Sequence, residues 1–161
     1  MTKLQSPAVV MVMCTGNVCR SPMAEAALKH FITQAGLEAE VISRGLAAPV
    51  GRSPHEFAVK VCEGAGIPIP QDKRAAAVSS AEMSLASVIF IMDQGHRKEV
   101  QQRFPAATGK TFLLGHWGQG DIPDPINEPE AAFHQVWAQI HAGSQQWVEQ
   151  LGKAGLIPSK Q

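Results

Sequence analysis

An almost wholly apolar run, AVVMVM at 8–13, ends at Cys14 and passes through Thr15, Gly16, Asn17, Val18 and Cys19 into Arg20, Ser21 and Pro22, where a helical pattern begins. A short run without polar alternation reads as a strand buried on both faces. Pro22 suits the first turn of a helix, where a missing N–H costs nothing, and Ser21 is the expected N-cap. Further strands are expected at EVISR (40–44), SVIFIM (87–92) and TFLLG (111–115), and helices at about 21–35, 54–65, 93–103 and 130–151. The last helix carries Phe133, Val136, Trp137, Ile140, Trp147 and Val148 at helical spacing. Strand then helix, repeated, predicts an α/β fold: an open parallel four-stranded sheet with helices on both faces. With 161 residues, 45% of them hydrophobic, the chain makes one domain over 1–161, its tail fraying after about Gly152.

In such sheets ligands bind outside the carboxyl ends of the strands, and the 14–20 loop lies at one of them. Gly16 and Asn17 tolerate unusual dihedrals, so successive backbone N–H groups can curl around an anion at the helix N-terminus. Arg20 adds a planar fork that matches two phosphate oxygens. The same positive surroundings favour a thiolate at Cys14. A phosphate cradle with a thiolate beneath it is suited to attack on phosphorus.

Other classes are poorly matched. Fourteen basic and fourteen acidic residues cancel, which argues against nucleic-acid binding. There is no apolar run of membrane length and MTKLQSPAVV has no leader pattern, so no membrane partner and a cytoplasmic location are expected. Three cysteines do not form a disulfide framework. Cys14 and Cys19 lack the second Cys/His pair of a zinc site, so no metal is expected. Cys62 reads as packing, the scattered histidines as solvated or locally hydrogen-bonded, and Lys73, Arg74 and the HRKEV segment as exposed charge.

The CTGNVCRS loop, its CRSPMAE continuation and a distant Asp124-Pro125 in DIPDPINEP together resemble the low-molecular-weight protein tyrosine phosphatases. SRG at 43–45, IMD at 91–93 and the final amphipathic helix fall in the family's order. The resemblance implies a cofactor-independent phosphatase in which Cys14 attacks phosphorus, Arg20 and the amides of residues 15–19 hold the oxygens, and Asp124 serves as acid and then base. It further implies that Ser21 donates to the Cys14 sulfur, that Asn17 pins the loop through a network reaching Ser43, that phosphorylated protein is the substrate, and that phosphate and other oxyanions inhibit.

Departures from the family pattern bear on specificity. Gln71 aligns with a histidine of the loop-support network. Ile126 stands where Tyr or Phe usually follows Asp-Pro, and Leu46 is the bulkiest candidate for the opposite wall. The bacterial protein arginine phosphatases share a similar loop but carry threonine at the position of Val18, so phosphotyrosine is the expected substrate and phosphoarginine the alternative. An arsenate reductase needs resolving cysteines near the third strand, and residues 75–100 contain none. Cys19, near a reactive thiolate, is a candidate partner for a protective disulfide with Cys14.

Overall fold

The computed structural model describes residues 8–160; the expectation that the first residues form no leader lies outside them. The elements run β1 (Ala8–Cys14), α1 (Arg20–Gln34), β2 (Ala39–Gly45), α2 (Glu56–Gly64), α3 (Ser80–Leu85), β3 (Val88–Ile91), α4 (Gln94–Arg103), a 3-10 turn (Pro105–Lys110), β4 (Thr111–Leu113) and α5 (Glu130–Lys153). The four strands form one parallel sheet in the order β2-β1-β3-β4. Connections leave β1 for β2 on one side, and the chain later returns to β3 on the other. The carboxyl end of β1 is therefore a topological switch point, the place where open α/β sheets form a crevice.

The period of two in the strands sorts their residues between two cores. Val10, Val12, Val41, Val88 and Phe90 pack with α1, α2 and α5, while Met11, Met13, Ile89 and Ile91 pack with Met83 of α3 and Val100 of α4. Cys14 continues the Val10–Val12 face, so β1 delivers its sulfur beneath the loop. On α5, Phe133, Val136, Ile140, Trp147 and Val148 are all buried, as their spacing predicts. None of the described helices is long and apolar enough to cross a membrane.

Two local expectations change. The tail after Gly152 is docked rather than frayed: Glu38 N–H donates to Pro158 O (2.8 Å), Lys160 N–H to Gly36 O (2.8 Å), and Ile157 is buried. Helix α3 was absent from the hydrophobic pattern because it has only six residues and one buried side chain, Met83. A capping box stabilises it, with Ser79 Oγ accepting from Glu82 N–H and Glu82 accepting from Ser79 N–H.

Candidate active site

Cys14 lies at the base of the loop, 3% exposed. Asn17 N–H donates to its sulfur at 3.2 Å, and Ser21 Oγ lies 3.0 Å from it. Ser21 Oγ already accepts from Asn17 Nδ2 at 2.7 Å, which leaves the serine hydrogen for the sulfur. Two donors therefore converge on the Cys14 sulfur. Helix α1 begins at Arg20 with Cys19 at the N-cap, not Ser21, and no side chain caps it. The Ser21 hydroxyl is committed to the sulfur, so the helix leaves its first N–H groups open. Among the described residues, no acceptor meets the N–H groups of Gly16, Val18, Cys19, Arg20 or Ser21. With no acidic residue in the first turn, this loop and helix end form a built anion cradle.

Asn17 holds the loop in shape. It takes the left-handed conformation, φ 56°, which asparagine tolerates better than most residues. Gly16 does not use its conformational freedom, since its φ lies outside that region. Both amide hydrogens of Asn17 are used, on Ser21 Oγ and on Ser43 Oγ (3.0 Å), and Oδ1 accepts Ala76 N–H at 2.9 Å. Gln71 is not part of this network: it is exposed in a turn, where its carbonyl accepts from Arg74. The place beneath Ser43 belongs to Glu25 and Lys73, neither expected there from the sequence. Glu25, 6% exposed, receives hydrogen bonds from Lys29 (2.9 Å) and Ser43, and lies 3.5 Å from Lys73 Nζ. Lys73 also donates to Ser43 O at 3.2 Å, so it is not the exposed charge expected of it. Burial alone would raise the Glu25 carboxyl, but these hydrogen bonds and the Lys73 charge hold it below its ordinary value. Burial lowers the Lys73 ammonium despite Glu25.

Arg20 is 3% exposed and faces the acid side of the site. Its NH1 donates to Asp93 (3.0 Å) and to Ile122 O (2.8 Å), which commits both hydrogens of that nitrogen and leaves Nε–H and NH2 as a fork for an oxyanion. Asp124 Oδ2 lies 3.8 Å from NH2; among the described residues Asp124, not Asp121, is the acid-loop carboxylate facing Arg20. Burial would raise the Asp93 carboxyl, yet hydrogen bonds from His96 N–H and Arg20 hold it below its usual range. His96 is buried rather than solvated, with Nε2 at 3.0 Å from Thr15 Oγ1. Burial, joined by the Arg20 charge and opposed by Asp93, pushes its imidazole below its ordinary value.

The expected walls are rearranged. Leu46 is 5% exposed and packs with Met11 and Met13 on the other side of the sheet. A large apolar side chain after β2 gains more by burial there than at a solvent-facing rim. Its N–H still supports the site by donating to Cys14 O at 3.0 Å, as Ala47 N–H does to Thr15 O at 2.9 Å. The exposed residues on that side are Ala47, Pro49 and Val50, with Pro49 Cδ 3.9 Å from where a Cβ on Gly16 would stand. Ile126 is half-buried against the core, its N–H on Asp124 Oδ1 at 3.1 Å. Val18 is 6% exposed and belongs to the core cluster.

Residues 9–156 match the family model described as "Low molecular weight phosphotyrosine protein phosphatase". The chain is 36% identical over 146 residues, 91% of its length and 97% of the relative's, to the "Probable low molecular weight protein-tyrosine-phosphatase EpsP" of Ralstonia nicotianae. The tyrosine phosphatase Wzb from Escherichia coli K30, solved in complex with sulphate, superposes with a TM-score of 0.84 at 32% identity, over 89% of this chain and 98% of that one. The YwlE arginine phosphatase from Geobacillus stearothermophilus superposes at 0.83 and 29% identity, over 93% and 96%. A thiol-based anion cradle, an arginine fork and a facing Asp-Pro carboxylate thus sit in a chain aligned with these enzymes along nearly its whole length, and the protein belongs to the low molecular weight protein tyrosine phosphatase family.

Proposed function

We propose that the protein hydrolyses aryl phosphomonoesters, phosphotyrosine in proteins above all, through a phosphocysteine intermediate. The observation that carries this reading is the convergence of Asn17 N–H and Ser21 O–H on the Cys14 sulfur beneath a ring of unpaired loop N–H groups. Cys14 thiolate attacks phosphorus in line and the P–O bond to the leaving group breaks. Asp124 gives its proton to the departing oxygen. Loop amides and the Nε/NH2 edge of Arg20 hold the three equatorial oxygens, so binding and charge stabilisation are the same contacts. A water then attacks phosphorus as Asp124 takes its proton; the new P–O bond forms, the P–S bond breaks, and phosphate leaves with the thiolate restored. Ser21 eases that second step by stabilising the departing sulfur. A cytoplasmic site of action accords with a chain whose described helices include no membrane span.

Substrate class turns on Val18. A phosphoguanidinium group brings N–H donors beside the phosphate, and a valine leaves such a donor unpaired at a cost of ~1–3 kcal/mol. An ester makes no such demand. The test is kcat/KM on phosphotyrosine, phosphoarginine and phosphoserine peptides. Wild type is expected to prefer phosphotyrosine, Val18→Thr to raise phosphoarginine activity relative to it, and Cys14→Ser to abolish all three while keeping phosphate binding. A wild type that prefers phosphoarginine overturns the assignment.

The second loop cysteine gives the site a redox response. Burial, aided by the charges of Asp124 and Cys14, pushes the Cys19 thiol up to about 12. Peroxide oxidises Cys14 to a sulfenic acid, which Cys19 converts to a disulfide with loss of water. As a protonated thiol Cys19 does this slowly. Peptide mapping after peroxide checks it: Cys14 should over-oxidise faster in Cys19→Ser than in wild type.

A further inference from the structure

His96 is the only fully buried histidine among the described residues, at 4% exposure. Met92 N–H donates to its Nδ1 at 3.3 Å. Nδ1 is thus an acceptor, and the proton of the neutral ring sits on Nε2. Nε2–H points at Thr15 Oγ1, 3.0 Å away. A hydroxyl that accepts from the ring keeps its own hydrogen for a partner elsewhere, and Thr15 is exposed between Cys14 and Gly16. The backbone there is fixed independently, by Ala47 N–H on Thr15 O (2.9 Å). On its far side the ring sits against Met92, whose carbonyl accepts Ile122 N–H at 2.8 Å, and Ile122 O in turn accepts from Arg20. One imidazole therefore bridges the phosphate loop and the strand end that anchors the acid loop.

We propose that His96 is a positioning residue for the phosphatase reaction: its Nε2–H orients the Thr15 hydroxyl as a donor at the edge of the anion cradle, adding a directed O–H to the backbone N–H groups that meet the phosphoryl oxygens. The inference rests on the phosphatase reading of the loop, which Cys14→Ser tests separately. A donor that meets phosphoryl oxygens in both bound substrate and transition state acts on phosphate affinity as well as on turnover.

The test is a cycle of Thr15→Val, His96→Leu, His96→Gln and the Thr15→Val/His96→Leu double variant, with kcat and KM for p-nitrophenyl phosphate, the inhibition constant of inorganic phosphate, and Tm for each. Thr15→Val and His96→Leu should each lower kcat/KM by roughly tenfold, the scale of one hydrogen bond to a charged group, and weaken phosphate inhibition in parallel. The double variant should be no worse than either single one. His96→Gln, whose amide N–H can take the place of Nε2–H, should recover most of the loss. Thr15 is exposed, so Thr15→Val folds and remains informative even if His96→Leu does not. An unchanged kcat/KM and phosphate inhibition in Thr15→Val, or additive losses in the double variant, overturns the proposal. Wild-type turnover that survives Cys14→Ser overturns the phosphatase reading and the inference with it.

Discussion

The phosphate loop at 14–20 and the acid loop at 121–127 face each other across the site and are built in opposite ways. In the first, Asn17 is 0% exposed, its side chain makes three hydrogen bonds, and a buried Ser43, Glu25 and Lys73 stand behind it. In the second, Asp121, Pro123 and Asp124 are exposed, and the segment is anchored mainly through buried Ile122, its N–H on Met92 O (2.8 Å) and its carbonyl on Arg20 (2.8 Å). The difference accords with the proposed chemistry. Oxyanion stabilisation needs donors fixed before charge develops, whereas a carboxyl that is acid in one step and base in the next must meet first a leaving group and then water. Pro123 and Pro125 stiffen the acid loop by limiting its dihedrals rather than by adding hydrogen bonds.

The most direct way to break the comparison is to disturb the rigid side from behind. A Cβ on Gly45 would stand 2.7 Å from Thr15 O and 2.8 Å from Ala48 Cβ, so Gly45→Ala must push the loop. Displacement of about 1 Å costs roughly 100-fold in rate, and kcat/KM for p-nitrophenyl phosphate should fall on that scale with phosphate inhibition weakened.

A smaller effect on activity, with a clear pH signature, is expected of Glu25→Gln. Removing the carboxylate leaves Lys73 buried without its counter-charge and should cost about 3 kcal/mol at neutral pH. Because the folded Glu25 carboxyl is held below its ordinary value, its stabilisation is complete above the usual carboxylate range and is lost as pH falls through the folded value. Tm measured against pH should therefore drop less steeply on the acid side in the variant than in wild type. Asp93, shifted in the same direction, keeps part of the slope in both.

Gly16→Ala sharpens the contrast from the other end. Its Cβ would meet Val18 Cγ2 at 3.5 Å and Pro49 Cδ at 3.9 Å, ordinary contacts, with no left-handed φ to strain. Denaturant unfolding should find stability unchanged or raised by up to ~1 kcal/mol. A large loss would mean that the loop depends on glycine at 16 as well as on Asn17.

How much of this could be read from the chain depended on whether local pattern or distant packing decides the residue. β1, the loop and α1 were legible because an apolar run, Asn17, Arg20 and Pro22 each have a local physical meaning, and the parallel sheet, though not its strand order, followed from the alternation of elements. Helix α3 had a readable signal that hydrophobic periodicity does not see, Ser79 three residues before Glu82. Glu25, Lys73 and His96 were not legible as site residues: Glu25 is a single carboxylate inside the apolar run of α1 and the other two lie on polar stretches, and their burial comes from α1, the turn after α2 and the start of α4 meeting around Ser43 and Thr15. Gln71 and Leu46 were placed by position along the chain, which does not fix the direction of a side chain in a turn or after a strand end.

The central claim is that the exposed partner of this pair, Asp124, supplies the proton that the buried cradle cannot. A series of aryl phosphates spanning a wide range of leaving-group acidity, with kcat/KM measured for wild type and Asp124→Asn, tests it most directly. The account predicts a shallow dependence on leaving group in wild type and a steep one in the variant, with the smallest loss on p-nitrophenyl phosphate. Parallel lines, with the variant equally impaired on every leaving group, would contradict it.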